Sequence, residues 1–315
     1  MSSRNSEVIH SGFYYPNNSL KAKLCVEGNK MLYNFAKKYS IDYKNTGKLI
    51  VLNDSKQEKI FFNLLENSKE NKIKNVKVLS GKESKKIEPR VKCIKSLWIP
   101  SAGIIDSHGV MSKLENISLT RDVNFAYNTR LKSIKREDSS YSLIFDDNEK
   151  ISSNIVINCA GLWSNRVSQM LDINYYKLEY YKGDYFKCKS IKDLNCLIYP
   201  IPSVASLGIH AVLNLNGEVS FGPNIYKVKN IDYNISDQYK KQYVNEINKY
   251  IDINEDDIYE DFSGIRPKIK FDGNFNDFVI KNEIGFKNFI NLIGIDSPGL
   301  TSCLSIAKYV ESIII

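Results

Sequence analysis

The chain has 315 residues, 43% hydrophobic and 25% charged, with 44 Lys and Arg against 36 Asp and Glu and a formal charge of +8. That balance describes a globular protein of one large domain or two interlocked ones, with a sizeable core. It excludes a spanning helix, which needs a run of about 18 apolar residues, and disfavours nucleic-acid binding, because the seven arginines form no cluster with aromatics. The polar first residues give no ground to expect export.

The elements follow from periodicity and caps. Ser19 to Tyr39 predicts a helix capped by Ser19, with Leu20, Leu24, Met31, Leu32, Phe35 and Tyr39 near the 3.6 period. Residues 47–53 predict an apolar strand and 54–69 a helix with Ile60, Phe61, Leu64 and Leu65 inward. Residues 76–80 and 96–100 predict strands, and 105–117 a helix opening after Asp106. Residues 124–137 and 141–147 predict an antiparallel pair; 154–160 (NIVINCA) predict a buried strand, followed by a helix. A tyrosine-rich stretch spans 175–186, and 207–224 predict a hairpin turning at Asn216-Gly217. A polar amphipathic helix (236–251), two strands (278–282 and 289–295) and a final helix complete the chain.

Six cysteines (25, 93, 159, 188, 196 and 303) form no Cys-x-x-Cys pair. They are expected as buried thiols of a reducing compartment, with neither disulfides nor a metal site.

Four features carry chemistry. The strand 154–160 ends at Cys159-Ala160-Gly161, where glycine lets the backbone turn close to a ligand. Residues 294–302 deliver a strand to Ser297-Pro298-Gly299 and a helix near Leu300, whose free N–H groups suit developing negative charge. Arg266, in the apolar, proline-stiffened SGIRPKI, offers a guanidinium fork for a carboxylate, or else an interdomain salt bridge. The histidines are His10, His108 and His210; a histidine titrates in the range of a general base. His108, beside the capping Asp106, is expected to play no part. Read alone, each feature has an ordinary structural explanation.

Taken in order, the segments SSRNSEVIHSGFYY, SLKAKLCVEGN, GKLIV, GIID, NCAGL, GDYF, IYPIP, LGIH, GPN and SPGLTS span nearly the whole chain. They resemble FAD-dependent oxidoreductases of the D-amino-acid-oxidase superfamily, and within it the L-2-hydroxyglutarate dehydrogenase/oxidase family. The resemblance implies an α/β plus α+β architecture. A glutathione-reductase-like FAD/NAD(P)-binding layer is expected from residues 1–50, 100–172 and 264–315. An inserted antiparallel substrate domain is expected from 51–99 and 173–263.

The resemblance also implies FAD as cofactor and oxidation of a small 2-hydroxy acid by hydride transfer to flavin N5. Oxygen or a quinone would accept the electrons, in the cytoplasm or peripherally at the inner membrane. His10 is the implied base, with His210 as alternative base or substrate donor, and Arg266 the carboxylate anchor. Ser6, Val8, Ile9, Ala160, Gly161, Ser297, Pro298, Gly299, Leu300 and Thr301 would hold the cofactor. Tyr14, Tyr15, Lys182 and Tyr199 would wall the substrate.

Two departures weigh against a complete likeness. The sequence GIRP matches amino-acid and amine oxidases better than the hydroxyglutarate enzymes, which leaves an amino-acid substrate open. No two glycines are two positions apart, so no Gly-x-Gly-x-x-Gly fingerprint occurs. The first βαβ unit of the layer is therefore expected to be missing, through a mis-started gene model, a true truncation or supply by another chain. A non-catalytic remnant that cannot hold FAD alone is the remaining alternative.

Overall fold

A computed structural model describes residues 2–202, 208–270 and 275–315. Residue 207, which opens the expected hairpin, lies outside the described residues.

The helices are α1 (Leu20–Tyr39), α2 (Glu58–Glu70), α3 (Gly81–Ile87), α4 (Ser107–Leu119), α5 (Ser164–Gln169), α6 (Lys240–Ile247) and α7 (Gly299–Ser312). The strands are β1 (Val8–Ile9), β2 (Tyr43–Lys44), β3 (Lys48–Leu52), β4 (Lys77–Ser80), β5 (Lys95–Ile99), β6 (Gly103–Ile105), β7 (Leu131–Arg136), β8 (Tyr141–Phe145) and β9 (Lys150–Ser153). They continue with β10 (Val156–Asn158), β11 (Leu178–Lys192), β12 (Leu197–Pro200), β13 (His210–Leu213), β14 (Glu218–Gly222), β15 (Tyr226–Val228), β16 (Ile258–Ile269), β17 (Val279–Asn282) and β18 (Phe289–Ile293).

Among the described residues these strands form four sheets. The largest has nine strands, ordered β15-β11-β14-β13-β12-β3-β5-β4, with β16 also paired to β11. It is antiparallel except where β12 runs parallel to β3. A small layer, β10-β18-β17, contains a parallel pair, β10 with β18, and an antiparallel edge. This mixture of a parallel layer and a large antiparallel sheet matches the mixed architecture expected from sequence.

Local chemistry explains the element ends. Ser19 is extended (φ −65°, ψ 153°) and its hydroxyl accepts from the Ala22 N–H, as an N-cap does. The Asp277 carboxylate accepts from the Leu20 and Lys21 N–H groups of the same first turn. Asp106 caps α4 by accepting from Gly109 N–H at 2.9 Å. At the β13–β14 hairpin Gly217 takes φ +80°, a left-handed conformation that disfavours side chains.

Two expected strands differ. The strand predicted from 124 begins only at Leu131, because residues 121–130 are exposed and Asn128 turns the chain at φ 56°. The strand expected to be buried at 154–160 is an edge. β10 pairs on one side only, and Ile155 and Ile157 remain 38% and 43% exposed. Cys159, at its end, is exposed rather than buried.

The packing that matters most for the site is α1 against α7. A Cβ built on Gly28 would meet the Thr301 carbonyl oxygen at 2.4 Å and the Ser302 Cα at 2.8 Å. Only glycine admits this approach. Ser305 Oγ donates to the Leu24 carbonyl at 2.6 Å across the same seam. At its end Lys21 pairs with Asp296 at 2.7 Å, with side chains only 8% and 7% exposed. Breaking such a sealed pair typically costs about 3–5 kcal/mol, because the remaining charge is stranded.

The seam yields a direct expectation. Gly28→Ala forces backbone apart and lowers unfolding stability by about 1–3 kcal/mol in denaturant titration. An unchanged midpoint would show that the close approach is not needed.

Candidate active site

β1 leads into His10, and the seam just described holds that residue. The Thr301 hydroxyl accepts from the His10 N–H at 3.0 Å and donates to the Val8 carbonyl at 3.3 Å. Asn29 of α1 donates to the His10 carbonyl at 2.9 Å. The imidazole Nε2 lies 3.3 Å from the Ser297 hydroxyl. Backbone and ring are thus fixed by three elements.

His10 opens onto a cavity of about 410 Å³. Its walls include Ser6, Val8, Tyr199, His210, Arg266 and the turn Ser297–Thr301. Helix α7 begins at this wall, and its N-cap, Pro298, contributes no side-chain hydrogen bond. Its first N–H groups carry the partial positive charge of a helix N-terminus toward the cavity.

The nine-stranded sheet supplies the opposite wall. Tyr199 of β12 and His210 of β13 stack with ring centroids 3.5 Å apart and planes 11° apart. Arg266 lies in β16, paired with Tyr181 of β11, and its side chain makes no ion pair or hydrogen bond among the described residues. It is therefore not the salt bridge that sequence left open, and its guanidinium is available for an anion.

The cavity is electropositive. Burial holds the His10 pKa well below 6.5, aided by the positive charges of Lys48, His210 and Arg266. Burial raises the Tyr199 and Tyr185 phenols above 10, so the aromatic wall stays neutral. Lys48 is wholly buried; its Nζ has no hydrogen-bond partner among the described residues and sits 3.7 Å from the Tyr199 ring centroid. Burial brings its pKa from 10.5 down to about 7.

Some expected site residues lie elsewhere. Lys182 is 3% exposed, bonds the Asn234 carbonyl and approaches Asp184 at 3.9 Å, so it does not line the cavity. Its side chain leaves the sheet on the face away from Arg266's cavity, and only its neighbour Gly183 reaches the wall. Tyr14 is half-buried with its hydroxyl sealed and unpartnered among the described residues, and Tyr15 is half-buried with its ring near Phe275; neither is a lining residue. Ile9 packs fully buried beside Leu32, Ile105 and Val110. Ala160 and Gly161 also lie outside the wall, because Gly161 (φ +57°) turns the chain into a short 3-10 turn at the surface.

Other residues escaped the sequence reading. Arg4 and Tyr185 line the cavity. Lys48 underlies it, and the signal was available: a lysine heading an otherwise apolar strand.

The residues present fit the ring half of FAD. A helix N-terminus, an arginine whose side chain has no ion pair among the described residues and a stacked Tyr199–His210 pair share one cavity, and Ser6, Val8 and residues 297–301 would contact the ring. The pyrophosphate half finds no glycine-rich loop among these 315 residues.

Buried Lys48 gives a pH test. The unfolded chain binds a proton that the folded chain has lost between pH about 7 and 10.5. Its burial therefore costs stability fully below about pH 7, and the cost fades as pH rises toward 10.5. Lys48→Met should gain most over the wild type at pH 6–7 and least near pH 10 by thermal melting. A pH-independent difference would refute this.

The model of the family described as FAD dependent oxidoreductase (DAO) matches residues 1–313. L-2-hydroxyglutarate dehydrogenase, mitochondrial, of Arabidopsis thaliana is 34% identical over 99% of this chain and 75% of its own length. L-2-hydroxyglutarate dehydrogenase of Indibacter alkaliphilus is 30% identical over 96% of this chain and 86% of its own. Among solved structures, FAD-bound L-alpha-glycerophosphate oxidase of Mycoplasma pneumoniae shares the fold at TM-score 0.89. It is 22% identical, and the match covers 98% of this chain and 83% of that one. Glycine oxidase of Geobacillus kaustophilus does so at 0.80 and 14% identity, covering 100% and 86%. Together these findings show that the chain belongs to the FAD-dependent oxidoreductase family and resembles its L-2-hydroxyglutarate dehydrogenase members.

Proposed function

We propose that this protein oxidises L-2-hydroxyglutarate, or a close 2-hydroxy acid, to the 2-oxo acid with FAD as cofactor. The observation that carries the reading is the convergence of His10, His210 and unpaired Arg266 on one cavity beside the α7 N-terminus. Sequence likeness to the two hydroxyglutarate dehydrogenases supplies the substrate class.

When bound, FAD supplies the hydride acceptor at N5. The chain's own residues do the rest. Arg266 binds the C1 carboxylate through its fork. His10, held neutral, accepts the C2 hydroxyl proton at Nε2, with the Ser297 hydroxyl orienting the ring. His210, stacked on Tyr199, is the alternative acceptor or a donor to the substrate.

Anaerobic bleaching by L-2-hydroxyglutarate of the protein held in excess FAD, against FAD alone, tests this. Reduction should be faster than with the D-enantiomer or with amino acids. Arg266→Leu should lower kcat/KM by about 100-fold, the worth of roughly 3 kcal/mol for a charge-assisted pair. Bleaching by amino acids alone would favour the amino-acid oxidase reading that the Gly264-Ile265-Arg266-Pro267 segment supports; bleaching by neither acid class would sink both.

A finer part of the reading is that the nucleotide-binding layer is incomplete within these residues. The open edge of β10, its exposed Ile155 and Ile157, and the lack of a glycine fingerprint support it. FAD titrated into residues 1–315 should bind weakly and leave a free-flavin spectrum. Stoichiometric binding with a structured flavin spectrum contradicts this point and excludes a remnant unable to hold FAD.

A further inference from the structure

We propose that Arg4 is a specificity-determining residue of this site: its guanidinium, at the rim of the cavity, binds the substrate carboxylate distal to the one held by Arg266. The inference rests on Arg266 holding the C1 carboxylate, and it narrows the substrate to a 2-hydroxy acid with a second carboxylate.

An acid with two carboxylates brings two charges into the cavity, and each needs a partner. Among the described residues that wall the cavity, Arg4 and Arg266 are the permanent cations. Arg4 makes no ion pair among the described residues. Its Nη1 donates to the Ser263 carbonyl at 3.4 Å, and its guanidinium carbon lies over the Tyr233 ring, 4.2 Å from the centroid. That hydrogen bond is long, and the remaining N–H groups of the fork are open to an anion.

An exposed arginine is ordinarily a solvated charge, but the backbone of Arg4 is built into the wall. A Cβ on Gly264 of β16 would stand 2.9 Å from the Arg4 carbonyl oxygen, so the glycine makes room for this segment. The residues that follow are tied down. Asn5 Oδ1 accepts from the Glu7 N–H at 2.6 Å. The Glu7 carboxylate accepts from the Ser107 N–H at 3.1 Å and from the Ser107 hydroxyl at 2.8 Å, at the start of α4. An arginine rooted on so fixed a segment gives up less freedom on binding.

Gly264 and Arg266 both line the cavity. They stand two positions apart on β16, on one face of the strand and roughly 6.6 Å from each other. In an extended five-carbon diacid, four C–C bonds of about 1.5 Å put the carboxyl carbons about 5 Å apart. The two guanidinium groups therefore start from points whose spacing suits the two ends of such an acid. Arg266 takes the carboxylate beside the reacting carbon, and exposed Arg4 takes the one left at the rim. An acid of the same length with a methyl end meets the inner anchor alone.

Isothermal titration of the full chain in excess FAD tests this, with 2-oxoglutarate and 2-oxovalerate as probes. The two acids share their length and their C1–C2 end and differ in the distal carboxylate. Wild type should bind the diacid about 10-fold more tightly, the worth of one charge-assisted pair at a cavity rim. Arg4→Gln should weaken the diacid by about 10-fold and leave the monoacid unchanged, with Arg4→Lys between, since it keeps the charge and loses the fork. Arg4→Gln that weakens both acids equally, or neither, overturns the proposal, and so does a wild type without preference for the diacid. Arg266→Leu separates this failure from that of the underlying reading. If it weakens both acids while Arg4→Gln changes nothing, Arg266 keeps its role and Arg4 is a surface cation. If it weakens neither, the C1 anchor is wrong and the proposal falls with it.

Discussion

The close approach of α1 to α7 is the constraint on which the rest of the site depends. Gly28 lets the two helices meet at backbone distance, and Thr301, at the same level, holds the Val8 carbonyl and the His10 N–H of the strand that leads into the histidine. The buried Lys21–Asp296 pair pins the next turn, so the residues preceding α7 are held from α1 as well. A helix N-terminus is useful to a ligand only if its position is stable. Here the helix that presents it, the loop that carries the histidine and the helix that carries Asn29 form one packed unit.

Against this unit stands the large sheet, which contributes the other chemistry. Tyr199 and His210 come from the adjacent strands β12 and β13, and Arg266 from β16, later in the chain, and the sheet brings all three onto one wall. The cavity combines a permanent cation with a base, His10, whose protonation burial opposes. Such a cavity attracts an anion, yet leaves an imidazole free to take a proton. Both properties suit a hydroxy acid, whose carboxylate must be bound while its hydroxyl is deprotonated.

Much of this was legible in the chain. Ser19 and Asp106 announced their helices because capping is local chemistry. Asn216-Gly217 announced its hairpin for the same reason. His10, His210, Arg266 and residues 297–301 were legible through motif order, and they do converge on one cavity. The failures share a different cause. Lys182 and Gly183 are adjacent, but strand alternation sends them to opposite faces, and only the sheet's packing decides which face meets the cavity. Ile155 and Ile157 looked buried because an apolar strand usually has two neighbours, whereas β10 has one. Lys48 was passed over as part of an apolar run, since its importance depends on Tyr199 and His210, some 150 residues away in sequence.

The central claim is that one cavity binds a 2-hydroxy acid through Arg266 and loses its C2 hydrogen while His10 takes the hydroxyl proton. Rapid-mixing measurement of flavin reduction with C2-deuterated and unlabelled L-2-hydroxyglutarate addresses it most directly, in wild type and His10→Gln. The account predicts a primary isotope effect in both proteins, with the wild-type rate at least about 100-fold faster, the usual worth of a positioned base. Equal rates for labelled and unlabelled acid in every pH buffer, or a His10→Gln protein as fast as wild type, would contradict it.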